Sequence, residues 1–172
     1  AIDGGNEEDM ESDKIAETLL ELADDDDIKA VVLRVNSPGG SAYGSEQIWH
    51  AASLVKAKKP LIVSMGDYAA SGGYYISCVA DTIVAQPTTI TGSIGIFGLL
   101  PNFKGLTEKI GVAFDGVKTN NFADFGMVMR PVTTAERVLF QNDVNRGYEL
   151  FVKRCADGRG MATDSIKAIA EG

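Results

Sequence analysis

Two turns built from serine and glycine carry the chemistry this sequence could perform. The stretch DYAASGGYYIS, Asp67 to Ser77, sets Ser71 between a pair of alanines and a pair of glycines. The apolar run LIVSM precedes it and a helical pattern comes after it. A serine at such a turn can act as an acyl-transfer nucleophile. Its hydroxyl oxygen attacks, and the N–H of Gly72 stands at a helix start, where developing negative charge is favoured. The same serine can also cap the helix, and the stretch alone supports a cap as readily. The spacing is not G-x-S-x-G, which excludes the nucleophile elbow of the α/β-hydrolases. The second turn is NSPGGS, Asn36 to Ser41. Pro38 pre-sets φ, and Gly39 and Gly40 reach conformations closed to other residues, so backbone N–H groups can face an anion. An ordinary strand-to-helix turn reads the same way. The Gly-Lys-Ser/Thr ending of a P-loop is missing.

A serine nucleophile needs a base, and the chain has a single histidine, His50. It falls in the helix after SPGGS and reads as a partly exposed helix residue. The two cysteines, Cys78 and Cys155, sit in no C-x-x-C and near no histidine pair, so neither a structural metal nor a redox dithiol is expected. They read as buried free thiols, with a disulfide between them left open. The run Asp24 to Asp27 has no calcium-loop pattern around it and reads as a solvated turn.

Strands and helices must position these groups, and their pattern is regular. Residues 1–12 are polar and acidic and read as flexible. A helix opens with Ser12 as N-cap and continues through Ile15, Leu19 and Leu22. A strand from Ala30 to Val35 runs into the first glycine turn. The next helix carries Ile48, Ala52 and Val55 on one face and ends at Pro60. LIVSM is the second strand, and GDYAASGGYYISCVA is a turn into a helix. DTIVAQ is a strand closed by Pro87. Next come a helix near 102–110, a strand from Val112 to Val117, and an irregular loop over 119–131. A helix over 134–156 lines up Val144, Tyr148, Phe151 and Cys155, and a last short helix ends the chain. Strands that are continuously apolar and alternate with helices predict an α/β layered fold with a mostly parallel sheet and surrounding helices. Both glycine turns come after the carboxyl end of a strand, where ligands collect in open α/β sheets.

Composition narrows the partners. A length of 172 residues fits one domain. A net charge of −8 argues against nucleic acid, which wants clustered lysine and arginine. The apolar runs are far too short to cross a bilayer. No targeting segment is read in the chain, and that assigns no compartment. The opening AIDGGNEEDMES reads like a cut into a longer protein.

Three stretches, VLRVNSPGGS, SMGDYAASGGYYIS and TTITGSIGIFG, occur in close succession. Together they resemble the signal peptide peptidase A family of serine proteases, whose architecture is shared with the Clp protease and crotonase folds. The likeness runs from about Ala30 to Gly172. It implies Ser71 as the nucleophile, Gly40 and the N–H of Gly72 as the oxyanion hole, and Ser93 as the serine that helps hold the base. The family uses a Ser–Lys dyad, in which a desolvated lysine loses its proton near neutral pH. In the short members that lysine lies in a loop matching this chain near Ala123, and Lys118 stands about five residues early. The segment from Asn121 to Asp124 resembles the long members instead, in which two homologous halves are in tandem and the lysine comes from the first. By that resemblance residues 1–172 are a single protease-like domain, an incomplete carboxyl-terminal half whose base comes from another half or subunit. Lys118 then reads as an exposed charge at a strand end.

The resemblance further implies amide hydrolysis of cleaved signal peptides, at the periplasmic face of the bacterial inner membrane, with membrane attachment through segments outside this chain. No cofactor and no metal are implied. Candidates for a substrate groove are Tyr43, Ala69, Tyr74, Ile94 and Phe97, each of which could instead be core. The family forms rings, so a homo-oligomer is expected, a tetramer for the long form. FGMVMRPV, Phe125 to Val132, is an apolar loop that could serve as a subunit contact or fold over its own core. Two other readings stay open, and a third does not. A non-catalytic scaffold half-domain is one. A crotonase-like acyl-CoA enzyme would carry Glu or Asp at the catalytic positions. A Clp-type triad needs a histidine after Ser71, and there is none.

Overall fold

The computed structural model describes residues 1–5 and 9–170. In chain order the elements are α1 (Ser12–Asp24), β1 (Val31–Ser37), α2 (Ala42–Lys58), β2 (Leu61–Ala70), α3 (Gly72–Ser77), β3 (Thr82–Val84), β4 (Ile90–Gly92), α4 (Lys104–Lys109), α5 (Thr134–Arg159) and α6 (Thr163–Ala170). They divide into two compact units, one of Ala1–Ile96 with Tyr148–Gly172 and one of Phe97–Gly147.

The first unit is built on a parallel sheet. β2 pairs with β1 along one side; on the other it pairs first with β3 and then with β4, always in parallel. Burial along β1 alternates: Val31 and Val35 are buried and Val32 is exposed. The buried side chains join Leu19 and Ala23 of α1, and Ile48, Ala52 and Val55 of α2, in one core. A second core gathers Tyr75 and Cys78 beside Phe151, Val152 and Cys155 of α5 and Ile166 of α6. Phe151 is 2% exposed, so truncating it to alanine should cost about 3–5 kcal/mol. Both cysteines are buried and free.

Four sequence expectations change. The strand LIVSM does not end in a turn at Met65; β2 continues to Ala70. The ladder steps from Val35↔Met65 to Ser37↔Ala69, so β2 carries extra residues there. Asn36 absorbs them, because its Oδ1 accepts the Tyr68 N–H at 3.1 Å. Beyond that irregularity β4 offers β2 a new partner over Tyr68 to Ala70. Ser12 is not the cap of α1. Glu11 occupies that position, and the Asp3 carboxylate accepts both the Ser12 N–H, at 2.8 Å, and the Ser12 hydroxyl, at 2.7 Å. A carboxylate from the incoming chain thus does the work expected of the serine.

The flexible stretch read over 1–12 falls partly on residues 6–8, outside the described residues. Of the remainder, Ile2 is fully buried and bridges both Met10 and Gly40. Residues 112–117 form no strand. Val112, Phe114 and Val117 are exposed, and an apolar sequence becomes a strand only where another chain segment takes up its N–H and C=O groups.

The second unit holds α4 and an ion-pair network. Asp124 pairs with Arg130 at 2.7 Å and with Lys118 at 3.0 Å, and Arg130 also pairs with Glu136. Thr133 and Glu136 form a capping box at the start of α5: each one's N–H donates to the other's side chain. The arginine first, and Thr133 second, hold the Glu136 carboxyl down at about 2. Among the described residues no helix is long and apolar enough to cross a membrane.

Candidate active site

Ser71 sits between the last residue of β2 and the first residue of α3. Its backbone is left-handed, with φ +51 and ψ −119. A side-chain-bearing residue in this region costs about 1–3 kcal/mol and persists only when its surroundings over-determine it. They do so here. The Ser71 N–H donates to the Gly92 carbonyl at 2.9 Å, and the Ser71 carbonyl accepts the Tyr75 N–H at 2.9 Å. No side-chain capping bond is made by Ser71. The hydroxyl is therefore not spent on its own helix, and the cap reading loses its main support.

The SPGG turn packs directly on this corner. Gly39 has φ +107, and a Cβ there would stand 2.8 Å from the Ser71 Cβ and 2.9 Å from the Gly72 nitrogen. Only glycine permits that approach. The turn is fixed from below by the first residues of the chain: Ile2 donates to the Gly39 carbonyl at 2.8 Å, and Ser41 donates to Ile2 at 2.9 Å. Ser37 Oγ accepts the Gly39 N–H at 3.2 Å. These bonds leave the N–H groups of Gly40 and Gly72 without a hydrogen-bond partner among the described residues. Gly72 directly follows Ser71, and Gly40 directly follows the glycine packed against it; unpaired donors of this kind can receive the charge of a tetrahedral intermediate when they face it.

Ser93 comes next to this corner through the sheet. The β2–β4 ladder ends at Ala70 and Gly92, and Ser71 and Ser93 each follow one of these two residues, with the Ser71 N–H bonded to the Gly92 carbonyl. Ser93 too is left-handed, with φ +49, and is exposed. The three motifs thus converge at the carboxyl end of the sheet.

The other predicted residues are placed differently. Tyr43 is 75% exposed in the first turn of α2. Tyr74 is half-buried and touches both cores. Ala69 and Ile94 are buried, one in each core, so their side chains pack inward. Phe97 is 89% exposed and belongs to the second unit. His50 is exposed on α2. Lys118 lies in the second unit, in irregular chain, with its ammonium paired to Asp124. Among the described residues no group of three His, Cys, Asp or Glu side chains is placed to hold a metal ion.

Sequence reasoning missed Asn36, Ser37 and Ser45. The first two stand in the NSPGGS stretch: Asn36 acts at the ladder irregularity, and Ser37 holds the Gly39 N–H. Ser45 lies one turn into α2, and its Oγ occupies the space that a Cβ on Gly72 would need, 2.5 Å away.

Comparison with known proteins shows the family and the fold. Peptidase family S49 matches residues 53–172, and the Clp protease family matches residues 2–90. Protease 4 of Haemophilus influenzae is 44% identical over 173 residues, covering 99% of this chain and 28% of that protein. Protease 4 of Salmonella typhi is 42% identical, covering 93% of this chain and 26% of its own length. The chloroplastic serine protease SPPA of Arabidopsis thaliana is 37% identical, covering 92% of this chain and 24% of its own. The chain therefore spans about a quarter of the length of these relatives. Among solved structures, a ClpP1 mutant from Listeria monocytogenes superposes with a TM-score of 0.58 at 15% identity, covering 91% of this chain and 70% of that one. At that identity the likeness is one of fold.

Proposed function

The chain belongs to peptidase family S49, and from that premise we propose that it is the nucleophile-bearing domain of a serine endopeptidase. The observation that carries the reading is the left-handed Ser71 at the β2–α3 corner, its hydroxyl uncapped, with Gly39 of the SPGG turn packed against it and Gly72 directly after it. Ser71 Oγ attacks the scissile carbonyl carbon. The oxyanion that forms accepts hydrogen bonds from Gly40 and Gly72, where a well-placed donor contributes about 10²–10³-fold in rate. The base takes the serine proton and hands it to the leaving amine. Water then hydrolyses the ester on Ser71 and restores the hydroxyl.

The base is a lysine from another half or subunit, held in part by Ser93. Two features support this: His50 is an exposed residue of α2, and the Lys118 ammonium is engaged by Asp124. Cleaved signal peptides at the periplasmic face of the bacterial inner membrane are the proposed substrates. A relative in Enterococcus faecium described as a signal peptide peptidase, 38% identical over 157 residues, supports that class. A peptide would add to the sheet edge by main-chain pairing, with Tyr43 the exposed aromatic beside the SPGG turn. A homo-oligomer, with FGMVMRPV as one contact, completes the proposal.

The test is complementation. Residues 1–172 alone should leave a fluorogenic peptide uncut, and adding the amino-terminal half of a long relative should restore cleavage. The variant Lys118→Ala should cleave as well as the parent in that mixture. Cleavage by the isolated chain that Lys118→Ala abolishes would overturn the assignment of the base.

A further inference from the structure

Outside the nucleophile corner, the first unit holds a second polar cluster that the proposed reaction does not use. It joins α2, α3 and α5. Glu46 of α2 accepts the Tyr75 hydroxyl through Oε2 and pairs with Arg154 of α5 through Oε1, the latter at 2.5 Å. The Arg154 guanidinium lies 3.6 Å over the Trp49 ring, and the Tyr75 ring packs on Phe151 with centroids 4.7 Å apart. Glu46 and Arg154 stand 108 residues apart in sequence.

The cluster is tied to the site at two points. Tyr75 donates its N–H to the Ser71 carbonyl at 2.9 Å, so one residue is bonded to the nucleophile at one end and to α2 at the other. Glu46 is next in sequence to Ser45, which packs against Gly72 and donates to the Ser41 carbonyl at 2.7 Å. Ser41 in turn is the N-cap of α2, directly after Gly40. The two free N–H groups therefore belong to two different helix starts, that of α2 and that of α3. α3 has six residues, too few to hold a shape of its own, and Ser71 is strained. Something outside α3 must set its register against α2.

We propose that Glu46 and Tyr75 are positioning residues, whose hydrogen bond holds the N–H groups of Gly40 and Gly72 in register around Ser71, with Arg154 fixing the carboxylate. The inference rests on the reading of Ser71 as nucleophile. A half-buried ion pair is weak grounds for stability, because an apolar pair of like volume holds helices together as firmly. What a carboxylate with one oxygen on each partner adds is direction. Neither side chain touches the substrate or the reacting atoms.

The experiment uses residues 1–172 mixed with the amino-terminal half of a long relative, the mixture expected to cleave, and measures three things. These are the rate constant of Ser71 labelling by a fluorophosphonate, the final stoichiometry of labelling, and kcat and KM on a fluorogenic peptide. Tyr75→Phe keeps the ring contact with Phe151 and removes the hydroxyl. It should slow labelling and lower kcat by about 10-fold, with KM and stoichiometry near wild type, since a small misplacement at a reacting centre costs rate rather than binding. Glu46→Ala should behave alike. Glu46→Gln keeps an acceptor for Tyr75 and should recover to within about 3-fold of wild type. A purely structural role predicts lower stoichiometry or a lower Tm at an unchanged rate constant, and that result in either variant overturns the proposal. Absence of wild-type labelling at Ser71 instead sinks the nucleophile reading, and this inference with it.

Discussion

Replacing Gly39 by alanine tests how closely the two glycine turns are fitted. Gly39 has φ +107, and a side-chain-bearing residue held there costs about 1–3 kcal/mol. The added Cβ would stand 2.8 Å from Ser71 Cβ, 2.9 Å from the Gly72 nitrogen and 3.1 Å from the Ala70 carbonyl oxygen. Two of these are backbone atoms, which cannot swing away as the end of a long side chain can. Relieving such overpacking costs a further ~1–3 kcal/mol. The expected loss for Gly39→Ala is therefore about 2–5 kcal/mol. Gly160→Ala is the control. Gly160 also has a positive φ, +63, but a Cβ there meets nothing within 4 Å. It should lose only the left-handed cost of about 1–2 kcal/mol. Urea denaturation of the two variants gives the difference. Fluorophosphonate labelling in the mixture with the amino-terminal half of a long relative gives the functional part: a displaced Gly72 N–H should slow the reaction by about 10²-fold, whereas Gly160→Ala should label like wild type. Equal stability losses in the two variants, or normal labelling of Gly39→Ala, would refute the close-approach argument.

Two more outcomes are expected from the same corner and its support. Ser71→Gly should abolish labelling yet unfold at higher urea than Ser71→Ala, by about 1 kcal/mol, because glycine relieves the left-handed strain and returns part of that gain as entropy. A Ser71→Gly variant no more stable than Ser71→Ala would mean that the backbone there stores no strain. Tyr75 should make stability sensitive to alkali. Burial first, and the Glu46 carboxylate second, push its phenol well above the ordinary 10.0. The unfolded phenol then ionises while the folded one keeps its proton. The stabilisation from Tyr75 is complete below about pH 10 and is lost as pH rises beyond it. Urea midpoints at about pH 9 and about pH 11 should fall less for Tyr75→Phe than for wild type, and equal falls would remove Tyr75 from the account.

Much of the site could be read from the sequence, because local rules govern it. Glycine pairs after apolar strands imply turns at the carboxyl end of a sheet, and the sheet brings Gly39–Gly40, Ser71–Gly72 and Gly92–Ser93 to one end. The features that escaped depend on distant partners. The extension of β2 to Ala70 needs Asn36 to take up the extra residues and β4 to pair with Tyr68, Ala69 and Ala70. The acceptor for the first N–H of α1 is the Asp3 carboxylate, nine residues before Ser12. Residues 112–117 have the apolar content of a strand but no pairing neighbour among the described residues. Ala69 and Ile94 were candidates for a groove on type and nearness to the motifs, yet strand and turn geometry send their side chains into the core. The Glu46–Arg154 pair has no local signature, since only the packing of α5 beside α2 and α3 creates it.

Whether Ser71 is the nucleophile is settled by treating residues 1–172, mixed with the amino-terminal half of a long relative, with a fluorophosphonate and mapping the adduct by peptide mass spectrometry, alongside Ser71→Ala. One adduct is expected, on Ser71, absent from the alanine variant while its far-UV circular dichroism is unchanged. An adduct on another serine, persistence of the label in Ser71→Ala, or no label at all would contradict it.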